Sequence, residues 1–238
     1  MSFIDLIYPK RCPVCLEALP PGKTLICPPC KEKIRRVTSP TCMKCGKPLM
    51  EESFEYCGNC EKRMPLFVKG LSYAEYTSKY VRRMLSEVKY HENPQILDYP
   101  CLDFGDRIRD EVALWGAEAL IPVPVHPSKL KSRGYNQAEE IASRLGKALS
   151  LPVDPGYLFR SEKTEAQKNL TERERRNNLA TAFFVPSSHK TYESVILVDD
   201  IYTTGSTANA CTRVLLASGI SRVYLLTLAI GRDNRLTL

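Results

Sequence analysis

The sequence predicts an α/β protein, a mostly parallel sheet flanked by helices and preceded by a small zinc-ribbon module. Three observations carry this. Strand-like and helix-like patterns alternate from about residue 66 onward, the signature of parallel strands joined by helical crossovers. Eight of the ten cysteines are confined to residues 12–60, as four Cys-x-x-Cys pairs that each start fifteen residues after the last. An apolar run at Val195–Val198 ends in two carboxylates and a hydroxyl-rich turn, as a strand feeding a helix does.

The chain opens on Met-Ser-Phe-Ile-Asp, with no basic leader, and Asp5 and Pro9 interrupt its apolar start. It does not read as a secretory signal. No run of eighteen apolar residues occurs, so no membrane insertion is expected. The expectation is a soluble cytoplasmic protein with reduced thiols. A hydrophobic fraction of 43% excludes wholesale disorder, and a formal charge of +7 is too small for a nucleic-acid-coating tail.

Cys12/Cys15, Cys27/Cys30, Cys42/Cys45 and Cys57/Cys60 are four tight knuckles. Two knuckles complete a tetrahedral thiolate shell, so eight ligands give two structural zinc sites. Sequential pairing and a cross-braced pairing have the same stoichiometry, and the spacing does not choose between them. Nine of the 17 prolines lie in residues 1–65, a segment with little apolar periodicity, so metal must supply much of its folding energy. Residues 1–65 are therefore read as the zinc module and 66–238 as the α/β domain. Lys31, Lys33, Arg35, Arg36, Lys44, Lys47, Lys62 and Arg63 are read as a solvated charged face. Each filled Cys₄ site carries a charge of −2, which brings the formal +7 down to roughly +3.

Residues 66–76 alternate and are aromatic, a strand or one arm of a hairpin. Thr77 or Ser78 caps a helix bearing Val81, Leu85 and Val88, which Asn93-Pro94 ends. Residues 95–117 are a second helix whose start Pro100 blurs. Ala119–Val125 is a short buried strand, Gly134–Leu149 a helix, and 153–159 a brief strand. The polar, charged residues 160–178 form a long loop or partly helical flap, a length that is usually functional. Ser194–Ile201 is a strand, Thr207–Ser218 a helix, Arg222–Ile230 a strand, and 231–238 a frayed tail. Cys101 and Cys211 are read as buried, inert thiols. His91, His126 and His189 show no metal spacing; His126, after Pro122-Val-Pro124, lies nearest the expected site.

In a parallel sheet, ligands bind beyond the carboxyl ends of the strands. A turn of Thr203, Thr204, Gly205, Ser206 and Thr207 opening a helix offers backbone N–H groups and hydroxyls to a phosphate. Asp199 and Asp200 beside it suit sugar hydroxyls or a divalent cation. The lysine of an ATPase P-loop is missing. Two aspartates at a strand end have no structural use that offsets the cost of burying them.

Val195–Thr207 resembles the phosphoribosyl-pyrophosphate signature of type I phosphoribosyltransferases. With the cysteine pairs, Pro122-Val-Pro124, Arg133-Gly-Tyr-Asn-Gln137, Gln167-x-x-Leu170, and Arg175 with Asn178, nearly the whole chain resembles the competence protein F family. That family joins a double zinc ribbon to a phosphoribosyltransferase-like domain. The resemblance implies that Thr203–Thr207 cradle the ribose 5-phosphate. Asp199 and Asp200 would take the ribose hydroxyls, with Mg²⁺ shared with the pyrophosphate. Lys129, Arg133, Gly134, Asn136 and Gln137 would form the pyrophosphate loop. Gln167, Arg175 and Asn178 would lie on the closing flap, with Arg175 catalytic beside the two aspartates. Lys89, Tyr90 and His91 are candidate lining residues of the hood that selects an acceptor.

Two functions follow as expectations. One is a Mg²⁺-dependent phosphoribosyltransferase acting on an unnamed nucleophile. The other is a competence factor that keeps the fold and binds a nucleotide or single-stranded DNA, acting with competence-machinery proteins in DNA uptake. Tyr73, Tyr76, Tyr80 and Tyr90, amid Lys79, Arg82, Arg83 and Lys89, would stack on such a strand or else pack a core edge.

Overall fold

The computed structural model describes residues 9–20, 22, 24–90, 93–161 and 182–233. The zinc module contributes two short helices, α1 (Pro28–Lys31) and α2 (Gly58–Lys62). Then come strand β1 (Gly70–Glu75), helix α3 (Lys79–Tyr90), a 3₁₀ turn at Pro94–Leu97 and helix α4 (Asp98–Leu114). Strand β2 (Ala119–Pro122), helices α5 (Pro127–Arg133) and α6 (Gln137–Leu149), and the short strands β3 (Phe159–Arg160) and β4 (Phe183–Phe184) follow. Strand β5 (Ser194–Tyr202), helix α7 (Ser206–Ala217) and strand β6 (Arg222–Ile230) close the described fold.

The main sheet has the order β1-β6-β5-β2, and every pairing in it is parallel. This is the expected α/β class. Residues 66–76 therefore supply a strand and not a hairpin arm, since β1 pairs Gly70 with Leu225 through Glu75 with Ile230 on β6. Along β5 the side chains alternate between two cores. Ile196 and Val198 join α3, α4 and α6 on one face; Val195 and Leu197 join α7 on the other. A strand covered on both faces reads as an unbroken apolar run for this reason.

Three local features differ from the sequence reading. Pro100 does not blur the helix over 95–117. It sits in the first turn of α4, where a backbone N–H has no intrahelical partner to lose. The helix expected to start at Gly134 starts at Gln137, because a separate helix, α5, precedes it. His126 caps α5, Pro127 is its first residue, and Gly134 ends it at φ 79°. Asn136 then caps α6 by accepting a hydrogen bond from the Ala138 amide at 3.1 Å. The strand expected at 153–159 is reduced to a bridge between Val153 and Leu120 and the antiparallel pair β3–β4. Most of the expected flap, including Gln167, Arg175 and Asn178, lies outside the described residues.

The zinc module is not an appendage beside this sheet but straddles its β1 edge. Cys12, Val14, Leu19, Ile26, Cys30 and Ile34 pack into the core of one face. Cys42, Cys45, Leu49, Cys57, Cys60 and Phe67 pack into the core of the other. Between them, residues 35–37 cap the free edge of β1: the Val37 amide donates to the Tyr73 carbonyl at 2.9 Å and the Glu75 amide to the Arg35 carbonyl at 3.0 Å. An open edge strand invites pairing with another chain, and this segment blocks it. The Arg36 guanidinium locks the arrangement, donating to Asp103 at 2.7 Å and Tyr99 at 2.9 Å, while the Tyr73 hydroxyl donates to the same Asp103 oxygen at 2.8 Å. Arg36 is thus an internal tie and not part of a solvated face.

Candidate functional site

The eight module cysteines gather into two groups, Cys12/Cys15/Cys27/Cys30 and Cys42/Cys45/Cys57/Cys60, with all sulfurs of a group within 4.8 Å of one another. The pairing is sequential, and the cross-braced alternative does not occur. Each group joins one knuckle in a tight turn to one at the start of a short helix. Leu16 and Gly46 return their amides to Cys12 and Cys42 in the turns, and Cys27 and Cys57 precede α1 and α2. Four sulfurs about 2.3 Å from one zinc ion stand roughly 3.8 Å apart. The Cys15–Cys27 and Cys45–Cys57 sulfurs are 3.8 and 3.6 Å apart. Thiolate-only, closed donor sets of this size fit structural zinc. Cys101 and Cys211 lie outside these groups, fully buried, and burial pushes both thiols up.

The other candidate site sits at the carboxyl ends of β5 and β2. Asp199 and Asp200 are half-buried near the end of β5, and Thr203–Gly205 turn the chain into α7. Gly205 precedes the helix at φ 79°, and a Cβ there would meet Cζ of Tyr202 at 2.8 Å. Glycine is thus required twice, for the left-handed backbone and for the ring beneath it. Gly205 has no side chain to cap α7. The Ser206 amide makes a long hydrogen bond of 3.4 Å to the Thr204 hydroxyl, and the first amides face the turn with the hydroxyls of Thr204 and Ser206, 3.0 Å apart. Asp199, Thr203, Thr204, Gly205, Ser206 and Thr207 line one hollow.

The two aspartates differ electrostatically. Asp200 is ion-paired to Lys89 from the last turn of α3. The end of that helix is fixed by the Tyr135 hydroxyl, which donates to the Val88 carbonyl. Asp199 accepts a hydrogen bond from the Asp200 amide at 2.8 Å. Burial, and then the Asp200 charge, hold its carboxyl well above the usual range. Such an acid binds its proton more tightly folded than unfolded. It therefore costs stability once the pH rises above its unfolded pKa of about 4. Asp199→Asn should melt at a higher temperature than wild type at pH 7, and its advantage should shrink as the pH falls toward that value. Thermal unfolding across pH measures this, and an Asp199→Asn protein less stable at pH 7 would contradict it.

A basic cavity of about 270 Å³ adjoins Asp200, lined by Lys89, Tyr90, Lys129, Ser132, Arg133 and Tyr135. Lys129 is held below its ordinary pKa, first by lost solvent, then by the charges of Arg133, Arg160 and Lys89. The Arg133 guanidinium lies over the Tyr90 ring, 5.4 Å from its centre, and donates to Gln137 at 3.1 Å.

The structure thus brings together Asp199, Asp200, Thr203, Thr204, Gly205, Ser206 and Thr207, with Lys129 and Arg133 alongside. Gly134, Asn136 and Gln137 lie at the junction of α5 and α6. Gly134 ends α5, Asn136 is buried and tied to the Val123 carbonyl at 3.1 Å, and buried Gln137 holds Arg133. His126 caps α5 through its own ring nitrogen. Tyr73 is buried and Tyr76 and Tyr80 pack against the core, whereas Tyr90 is 69% exposed.

Two contacts escape sequence reasoning. Lys89 reads from sequence only as a hood-lining candidate, and its ion pair to Asp200 depends on where α3 ends. Arg160, on β3, stacks over Phe183, feels the charge of Asp199, and has a buried Nε with no hydrogen-bond partner among the described residues. It falls within the expected flap of residues 160–178, and a two-residue strand leaves no periodicity to find.

A family model described as a double zinc ribbon domain matches residues 3–61. Over 224 residues the chain is 31% identical to Competence protein F of Haemophilus influenzae, covering 92% of this chain and 96% of the relative. It is 27% identical over 223 residues to DNA utilization protein YhgH of Salmonella typhimurium, with 92% and 96% covered. It is 26% identical over 201 residues to Competence protein ComFC of Bacillus subtilis, with 82% and 79% covered.

Proposed function

The chain belongs to the competence protein F family, and from that premise we propose that it is a zinc-stabilised, phosphoribosyltransferase-like protein of DNA uptake that binds phosphoribosyl pyrophosphate with Mg²⁺. The observation that carries this reading is the β5–α7 junction. Paired carboxyl groups, a left-handed glycine, helix amides and two hydroxyls meet there, and Asp200 is ion-paired to Lys89, one of three cations lining the neighbouring cavity. The 5-phosphate lies in the turn Thr203–Thr207, where backbone N–H groups and the helix dipole favour an anion. The ribose hydroxyls reach Asp199 and Asp200. Lys129 and Arg133 take the pyrophosphate, Arg133 by paired N–H bonds and Lys129 as a point charge.

Among the described residues, groups of three or more side chains able to hold a metal are confined to the two cysteine clusters, and Asp200 already holds the Lys89 ammonium. These residues fit a Mg²⁺ ion that arrives with its polyphosphate, where it would neutralise charge on the leaving pyrophosphate. Departure of that group leaves positive charge on the ribosyl centre, which the Asp200 carboxylate stabilises, with Asp199 hydrogen-bonding the ribose.

A second reading is supported by Tyr90. An exposed ring under a guanidinium, at the mouth of a basic cavity, suits a stacked base of a nucleotide or single-stranded DNA. On that reading the protein is a non-catalytic or weakly catalytic binding factor.

Titrating phosphoribosyl pyrophosphate with Mg²⁺ while following thermal unfolding tests the first reading. Wild type should be stabilised, by about 2.7 kcal/mol at a hundredfold excess over Kd. The Asp199→Asn/Asp200→Asn protein should fold and show no shift. Equal stabilisation of the double variant would refute the site. Single-strand DNA binding followed across salt concentrations tests the second.

A further inference from the structure

The second cysteine cluster and the phosphate turn are built onto the same side chains. Tyr202, the last residue of β5, is buried. Gly205 rests against its ring; an added Cβ would meet Cζ at 2.8 Å and Cε2 at 2.9 Å. From the other side, the ring meets the module. Phe67 packs edge-on at 6.0 Å, and the Lys47 ammonium lies 5.8 Å from the ring centre. The Tyr202 hydroxyl is within electrostatic reach of Cys42, Cys45, Cys57 and Cys60.

Lys47 is 1% exposed and donates to the Arg232 carbonyl at 3.3 Å. So placed, the Lys47 side chain joins the module's second half to the Tyr202 ring and to the chain that follows β6.

Further ties run in the same direction. The Gly58 amide, at the start of α2, donates to both carboxylate oxygens of Asp233, at 3.0 and 3.2 Å. The Leu66 amide donates to Asn209 at 2.7 Å, and the Asn209 amide returns to the Gly205 carbonyl at 2.8 Å. The Gly231 amide donates to the Tyr202 carbonyl at 2.8 Å. The first cluster is placed differently, packing into the opposite core with the residues of α3 and α4.

We infer that the second zinc centre is the floor of the phosphate turn, with Tyr202 as the positioning residue between them. The anion-binding geometry of residues 203–207 then depends on metal at Cys42/Cys45/Cys57/Cys60 and is insensitive to the first centre. This deepens the proposed function, since it takes the turn as the phosphate site.

The test uses the full zinc-loaded chain and ribose 5-phosphate as probe. Cys57→Ser/Cys60→Ser is compared with Cys12→Ser/Cys15→Ser, with zinc content measured for each. In the second-centre variant, affinity should fall at least about tenfold and the amides of residues 203–207 should exchange hydrogen at least about tenfold faster. The first-centre variant, compared as folded protein with zinc retained at the second centre, should stay within about twofold of wild type on both readouts. Tyr202→Leu should reproduce the second-centre loss, and Tyr202→Phe, which keeps the ring, should restore affinity.

Equal effects of the two double variants in folded protein, or unchanged turn amides in the second-centre variant, would overturn the inference. Should either double variant fail to fold, Tyr202→Leu decides, and unchanged turn exchange there sinks it. If wild type binds no ribose 5-phosphate, the sugar-phosphate reading falls, while the exchange data still decide the coupling.

Discussion

Removing zinc from the fully reduced protein is expected to unfold the whole chain and not merely its first sixty residues. Each cluster lies inside one of the two hydrophobic cores, one on each face of the sheet. The segment joining them caps the β1 edge. A structural zinc site contributes about 10–16 kcal/mol to folding in small modules, against a total stability of about 5–15 kcal/mol for a typical domain. Losing two sites therefore exceeds what the remaining core can hold. Trp115 is a convenient reporter, buried and stacked 4.4 Å from Tyr224 on the sheet. Holo protein should carry two zinc ions and show one cooperative transition by Trp115 fluorescence. Chelated protein should lose that transition at ordinary temperatures. A Trp115 transition left unchanged in metal-free protein would show that the sheet does not depend on the module.

Gly46→Ala should destabilise nearly as selectively, through a single atom. Gly46 has φ 74°, and a Cβ there would sit 2.6 Å from the Gly70 carbonyl oxygen at the start of β1. The backbone angle is not the main obstacle, for Leu16 holds φ 67° in the equivalent turn of the first cluster. The obstacle is the neighbour, a backbone oxygen that cannot rotate away. It is held at the seam where the Gly70 amide donates to the Lys44 carbonyl at 2.8 Å. Left-handed strain of about 1–2 kcal/mol and overpacking of about 1–3 kcal/mol combine to roughly 2–5 kcal/mol. That corresponds to a fall in Tm of roughly 5–15 °C for a chain of this size. Leu16→Gly, at the same angle without the crowding, is the control and should change Tm by no more than a few degrees. A Gly46→Ala protein melting with wild type would mean that the seam opens freely.

Most of the fold was legible where one local rule decided it. Four knuckles in register point to zinc because two cysteines three apart can reach one ion. The run Val195–Val198 reads as a buried strand because both of its faces are covered. The hydroxyl-rich turn into α7 reads as an anion site because helix amides lack partners at that end. The helix α5 was missed because Pro127 and Gly134 punctuate a stretch too short for periodicity. Lys47 and Arg36 read as surface charges because composition does not reveal which lysine is buried against Tyr202 and the Arg232 carbonyl or which arginine meets Asp103, sixty-seven residues away.

By itself, then, the sequence determined the α/β class, the two Cys₄ centres, and the residue types gathered at the end of β5. Those depend on contacts within a few residues along the chain. Only the tertiary structure decided that the zinc pairing is sequential and that the module straddles the β1 edge. It also placed Lys89 on Asp200, Arg160 beside Asp199, and Tyr202 between a zinc cluster and the phosphate turn. Each of those joins groups far apart in sequence. Such contacts are set by which strands pair and which faces are buried, and no local pattern encodes that.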